Sequence, residues 1–210
     1  MHVVPGLKVL YFGTPVVLVS TLNEDGTPNL APISSAWWLG QHCMIGLGNN
    51  AQTTANLLRE GECVLNLPSS AMVDAVDRIA LTTGKRTLVD YKVEQGYRHE
   101  PDKFGAARLT EQASELVKPP RVAECPVQLE CRLVTVNPFG GPERHATAFE
   151  VEVLRAHVEE ELVIPGTHHV DPIGWDPLIM KFCEFFGGGR NVHPSRLAEG
   201  WKMPHRVAAV

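Results

Sequence analysis

The sequence has no Cys-x-x-Cys pair, no run approaching 18 apolar residues and no cluster of basic residues. Each absence excludes a class of protein. Without paired thiols there is no zinc ribbon and no thioredoxin-like redox site. The five cysteines, Cys43, Cys63, Cys125, Cys131 and Cys183, are odd in number and read as free thiols, mostly small core fillers. Without a long apolar run no membrane-spanning helix is expected. Clustered Lys and Arg are missing and the net charge is -5, which argues against nucleic acid as the main partner. No charged region followed by an apolar segment opens the chain, so no signal peptide is read and a cytoplasmic location is expected. No repeat, low-complexity segment or linker divides the sequence. Its 210 residues are expected to form one domain, 1–210, with a C-terminal extension from about residue 178. One more absence is local: no Lys or Arg occurs between Lys8 and Arg59.

The composition, 44% hydrophobic and 20% charged, is that of an ordinary soluble globular chain. Residues 15–22 form a continuous apolar and β-branched run, which fits a strand covered on both faces. Asp25-Gly26 marks a hairpin turn, because a tight turn there needs positive φ. The returning strand carries Pro28 and Pro32 at positions of the same parity, so both remove an N–H from the same side. That side is not fully paired. It belongs either to an edge strand guarded by prolines or to an open strand against which a ligand lies. Asn29, Ser34 and Ser35 add polar side chains to this segment.

An apolar strand, 43–48, then runs through Gly46 and Gly48 into a polar stretch from Asn49 to Thr54. Asn49 and Gln52 have capping-box spacing, which predicts a helix from near Ala51 to Gly61. Thr53 and Thr54 would lie beside the unpaired N–H groups of its first turn. Such a turn either simply caps the helix or holds a phosphate, since free N–H groups and the helix dipole favour an anion.

Residues 62–68 read as a short buried strand, and 72–80 keep a helical period, with Ser69 or Ser70 as cap. The stretch 82–122 is more polar and reads as a connector with short helical pieces, of the kind that forms a lid or a dimer arm. In 126–137 Val127, Leu129, Cys131 and Leu133 alternate with Gln128, Glu130 and Arg132, which predicts a half-buried strand. A loop at 137–142 and a long strand at 146–159 complete at least six strands, mostly antiparallel, with two or three helices. This count favours a small barrel. Residues 173–182 read as a short helical segment after a turn, Gly187–Gly189 as a turn and Gly200–Pro204 as the end of the tail. His168, His169 and Asp171 read as a solvated loop, with no metal expected. Trp37 and Trp38 stack on a ligand, or else divide between core and interface. Phe182, Phe185 and Phe186 read as packing or dimer contacts, and His145 and His157 as structural. No Ser/His/Asp or Cys/His set emerges, so no catalytic side chain is named.

Taken in order, several segments resemble the flavin reductase-like, FMN-binding split-barrel family, of flavoredoxin type. They are Pro15–Thr21 with Asp25–Ser34, Thr54–Leu57 with Gly61–Pro68, Asp102-Lys103-Phe104 before Leu109-Thr110, and Val117–Pro126 ahead of the long hairpin. The resemblance covers about residues 10–180. It implies a mainly β fold with helices, a six-stranded antiparallel Greek-key split β-barrel that forms a homodimer with FMN (FAD being the other flavin) near the interface. It implies cofactor contacts at Asn29, Pro32, Ile33, Ser34 and Ser35 along the ring, and at Asn49, Asn50, Gln52, Thr53 and Thr54 around the phosphate. NADH or NADPH would be the reductant, and a monooxygenase or another acceptor the electron sink. The chain departs from the pattern in two places. Many relatives carry Lys or Arg in or just before the helix turn, which leaves Lys85, Arg86 or Lys103, or no cation at all, to meet the phosphate here. The Gly-Gly-x-x-Tyr of relatives is replaced by Gly188-Gly189-Arg190-Asn191-Val192. A flavin-binding electron carrier without nicotinamide activity and a flavin-free split-barrel dimer are the other readings.

Overall fold

The computed structural model describes residues 1–140, 145–193 and 195–197. In chain order its elements are β1 (Phe12–Pro15), β2 (Val17–Leu22), β3 (Pro28–Ile33), β4 (Ala36–Leu39), β5 (His42–Gly48), α1 (Gln52–Glu60) and β6 (Glu62–Leu67). There follow α2 (Val73–Arg78), β7 (Thr82–Thr83), α3 (Asp90–Glu94), β8 (Arg98–His99), α4 (Lys103–Ala107), β9 (Glu111–Gln112) and β10 (Arg121–Val122). The last are β11 (Val127–Phe139), β12 (Ala146–Val158), β13 (Ile179–Lys181) and β14 (Glu184–Phe186). Part of the 137–142 loop and all of Gly200–Pro204 lie outside the described residues.

Seven strands form one antiparallel sheet in the order β3-β2-β6-β11-β12-β5-β4. Its outermost strands, β3 and β4, are consecutive in the chain and joined only by Ser34 and Ser35. The two edges are therefore one bent stretch, and the sheet closes on itself. Counting β3 and β4 as that single strand gives the six-stranded Greek-key split barrel. A bond from Gly46 N to Ser35 O (2.8 Å) closes the seam at the bend. Beyond it, among the described residues, β3 pairs only with β2 and β4 only with β5, so the barrel wall is split between β3 and β5.

The interior is filled by Val17, Val19, Ile45, Leu65, Phe149 and Val151 among others. A second cluster lies outside β2 and β3, where Val16, Leu18 and Leu30 pack under Val76 and Ile79 and under Phe104 and Ala107 of α4. The run 15–22 is thus covered on both faces, although its first residue belongs to β1 and Val16 interrupts the pairing. The hairpin turn departs in detail from expectation. Only Gly26 takes positive φ (81°), and Gly26 N donates to Asn23 O (3.0 Å), which describes a longer loop closed by a glycine bulge.

Helix α1 ends as expected, with Gly61 at φ 69° and its N–H on Leu57 O. Its start differs, because Ala51 is the N-cap and no capping box forms. Asn49 is drawn to β12 instead. Its N–H donates to His145 O (2.9 Å) and its Oδ1 accepts from Thr147 Oγ1 (2.8 Å). Gln52 turns along the helix to donate to Asn56 Oδ1 (2.8 Å). Neither serine caps α2. Ser69 makes no side-chain cap bond, and Ser70 Oγ donates to the Asp176 carboxylate.

Two further expectations are corrected. The outer face of β11 is solvated only from Arg132 onward, since residues 111–122 lie over its first part and bury Gln128 and Glu130. Glu130 accepts from Glu115 N (2.9 Å), Leu116 N (2.6 Å) and His157 Nε2 (2.8 Å), with Arg121 Nε 3.8 Å away. Residues 173–182 are not helical. Leu178 bonds back to Pro68 and Val16, and β13 pairs with both β1 and β14. Phe182 and Cys183, both at positive φ, turn the chain between β13 and β14. Pairing with β1 makes Ile179–Lys181 a strand in place of the expected helical segment. Gly188 N donates to Asp176 Oδ1 (2.7 Å), which makes the glycine run a structural turn.

Candidate functional site

The split in the barrel opens into a cavity of about 410 Å³. One wall is the bent stretch Ala31–Ser35 facing Gly46–Gly48 of β5. The start of α1 contributes Ala51, Gln52 and Thr53. Thr82, Thr83 and Gly84 lie opposite, and Tyr91, Lys92, Tyr97 and Lys103 of the connector close that side. Tyr11, Met180 and Phe185 of the small sheet complete the lining. The size is within the range of small-molecule sites. A smaller hollow of about 140 Å³ adjoins it, lined by Asn49, Asn50, Lys85 and Thr87, with Thr83 and Lys92 common to both.

Two prolines and one edge explain the open wall. Pro32 lies opposite Leu18 of β2, and among the described residues no strand lies on the other side of β3. A close approach shapes the far wall, because a Cβ on Gly84 would come within 2.8 Å of Asn29 Oδ1 and 2.9 Å of Gln52 Cγ. Any side chain there would wedge β7 away from the start of α1 and fill the cradle.

A buried amide and hydroxyl network holds the start of α1 against the hairpin. Asn29 Nδ2 donates to Thr53 Oγ1 (3.0 Å) and Thr21 Oγ1 (3.3 Å), and Asn56 Nδ2 donates to Thr21 Oγ1 (3.1 Å) and Asn23 Oδ1 (3.0 Å). Thr53 Oγ1 therefore accepts from behind, and its own hydrogen has no acceptor among the described residues. Thr83 Oγ1 likewise accepts from Lys85 N (3.2 Å) and keeps its hydrogen. Both threonines line the cavity, and neither hydroxyl hydrogen has an acceptor among the described residues. Thr54 is spent differently, donating to Gly48 O (2.8 Å). The donor set is thus two hydroxyls, the first-turn N–H groups of α1 and two lysines, with a flat peptide wall beside them. This set fits a planar ligand that carries an anionic, acceptor-rich end.

Of the residues expected from sequence, Pro32, Ile33, Ser34, Ser35, Gln52 and Thr53 line the cavity. Asn49 and Asn50 line the adjoining hollow. Asn29 is buried behind the wall and positions Thr53, while Thr54 ties α1 to β5. The tyrosines, Thr82, Thr83 and Lys92 were not anticipated. For all but Tyr11, which lies outside the connector, the one sequence signal was the polarity of that stretch. Lys103 lies in the cavity and Lys85 in the hollow, whereas Arg86 lines neither. Of the tryptophans, Trp38 packs against the core and Trp37 is exposed; neither lines the cavity. Among the described residues no group of three or more His, Cys, Asp or Glu is placed to hold a metal ion, and no helix is long and apolar enough to cross a membrane.

The chain is 37% identical over 185 residues to an uncharacterized protein, YdfE, of Bacillus subtilis (strain 168), spanning 88% of each. Among solved structures it is similar to flavoredoxin of Desulfovibrio vulgaris (Miyazaki F), with a TM-score of 0.76 at 22% identity, covering 95% of this chain and 100% of that one. It is also similar to nitrilotriacetate monooxygenase component B of Bacillus cereus, with a TM-score of 0.73 at 21% identity over 92% and 98% of the two chains. The family model described as flavin reductase like domain matches residues 9–181, so the chain belongs to the flavin reductase-like family, whose split-barrel fold it has.

Proposed function

We propose that the cavity holds FMN and that the protein is a flavin-dependent oxidoreductase reduced by NADH or NADPH. The observation that carries this reading is the split wall itself. A peptide surface from Ala31 to Ser35 ends at the first turn of a helix, beside hydroxyls with hydrogens to give. The bound flavin would supply the hydride-accepting chemistry. The chain's task is to bind and expose one face of the ring, to offer backbone and Ser34 or Ser35 donors to its polar edge, and to keep the phosphate end at α1. The electron acceptor is a monooxygenase or another redox partner, in keeping with the monooxygenase component among the similar structures.

A visible spectrum tests the flavin directly: the protein should take up FMN and show its absorbance. A colourless protein that takes up no FMN removes this reading. Anaerobic bleaching by NADH or NADPH then separates a reductase from an electron carrier. Thr53→Val should weaken FMN by about tenfold and riboflavin much less, because it removes one hydrogen bond to a charged group. Thr54→Val should leave flavin selectivity unchanged and cost about 1 kcal/mol of stability through the lost bond to Gly48 O. Equal weakening of both flavins by Thr53→Val would remove the phosphate from this end.

A second copy of the chain is the proposed partner at the mouth of the cavity. Next to Tyr11 of the lining, whose carbonyl accepts from Phe182 N (2.8 Å), Phe12 and Phe182 stack edge to face (4.8 Å) and, like Trp37 and Leu39 of the neighbouring β4, remain exposed. An apolar surface of this kind beside a site is one that association covers. Soluble, cytoplasmic function as a single domain over 1–210 completes the proposal.

A further inference from the structure

The cavity needs positive charge for an anionic ligand, and α1 has none to offer before Arg59. We infer that the connector provides it: Lys103 and Lys92 form a cationic wall that takes the phosphate of the cofactor, in the role that a basic residue on α1 would otherwise have. This rests on the flavin reading of the cavity.

Lys103 opens α4, is only 4% exposed and lines the cavity. The ion pairs among the described residues include neither Lys103 nor Lys92. A lysine buried without a carboxylate is costly, since the charged form loses water and gains no partner. The charged groups acting on it are Lys92, which repels, and Glu100, which attracts more weakly. Burial first, and then Lys92, pull the Lys103 pKa down to about 8, so at neutral pH it still carries its proton. Lys92 is held with its Nζ 5.4 Å from the centre of the Tyr97 ring and borders both the cavity and the hollow beside Asn49 and Asn50. Two ammonium groups near each other, with Glu100 attracting Lys103 more weakly than Lys92 repels it and neither lysine in an ion pair among the described residues, are an arrangement that an entering dianion relieves. The hollow adds Lys85 at its rim. Placement in one cavity with the first turn of α1 lets backbone N–H groups and lysines act on the same phosphate.

The test compares FMN, riboflavin and inorganic phosphate on the purified full chain, by titration calorimetry and by quenching of flavin fluorescence. Lys103→Met should weaken FMN by about tenfold or more and change riboflavin by less than about twofold. Lys103→Arg should keep most of the FMN affinity. Lys92→Met should act in the same direction with a smaller loss. The wild-type preference for FMN over riboflavin should also fall above about pH 8, where free Lys103 loses its proton, and Lys103→Arg should abolish that fall. The inference is overturned if Lys103→Met weakens both flavins alike, or weakens neither. Should the wild-type protein bind no flavin, the flavin reading fails by itself, and phosphate decides the rest. Binding of inorganic phosphate that Lys103→Met removes keeps the lysine wall as an anion site, and absence of such binding overturns it as well.

Discussion

Lys103→Met is expected to make the flavin-free protein more stable at pH 7 by about 2–3 kcal/mol, or about 5–10 °C in thermal midpoint for a chain of this size. The sign follows from burial. Desolvation, helped by Lys92, lowers the Lys103 pKa from 10.5 to about 8 in the fold. The unfolded chain therefore binds that proton more tightly than the folded one. At pH 7 both states hold it, and folding bears the full unfavourable difference. From pH 8 towards 10.5 the folded state releases the proton first, and stability contributed by this group rises. Met has similar length and no charge to desolvate. The gain over wild type should therefore be largest at pH 7 and shrink towards pH 10. Melts of the two proteins at both values check it. A variant that melts at or below wild type at pH 7 would mean that the ammonium reaches water more freely than its 4% exposure indicates. The same substitution would then raise stability while weakening FMN, the trade expected of a group held for binding and not for folding.

Much of the barrel was legible because strands report their surroundings locally. The unbroken apolar run at 15–22 signalled cover on both faces, and β2 has the barrel core on one side and α2 and α4 on the other. The parity of Pro28 and Pro32 signalled one unpaired side, and β3 is the strand at the split. Gly61 signalled the end of α1. What failed depended on partners distant in sequence. Asn49 and Gln52 had the spacing of a capping box, but β12, about a hundred residues away, offered Thr147 and His145 to Asn49 instead. Residues 173–182 read as a short helical segment, but Ile179–Lys181 pair with β1 instead. Alternation in β11 marked Gln128, Glu130 and Arg132 as the wet face; Arg132 is exposed, but no local pattern revealed that residues 111–122 would cover Gln128 and Glu130. In the cavity, the wall from Pro32 to Ser35 could be read from prolines and small polar residues. The opposite side could not, because β7, α3 and α4 lie in a stretch of weak periodicity and meet the barrel only in the folded chain.

Glu130→Gln should cost about 3–5 kcal/mol of stability, the range for breaking a buried charge away from its partners. The carboxylate has no exposure and accepts three donors, with Oε1 taking Glu115 N and His157 Nε2 and Oε2 taking Leu116 N. A glutamine has one acceptor oxygen. Either orientation of its amide turns an NH₂ towards at least one buried N–H, so a donor faces a donor. Burial by itself would raise the pKa of Glu130, but the two backbone N–H groups and the His157 ring outweigh it, and the pKa lies below its ordinary 4.5. This stabilisation is therefore complete above pH 4.5 and is lost as the pH falls through the lower folded value. Urea melts give the total loss, and hydrogen exchange locates it. The amides of Glu115 and Leu116 should lose protection first, followed by those of residues 111–122. Losses of less than about 1 kcal/mol would show that water or Arg121, whose Nε lies 3.8 Å from Oε1, replaces the missing contact. The consequence reaches the cavity, because Val122 packs in the same cluster as Phe104, the residue next to Lys103 on α4. A loosened cover over β11 removes support from the helix that carries Lys103, so the FMN affinity proposed for the cavity should fall in Glu130→Gln although Glu130 does not line it.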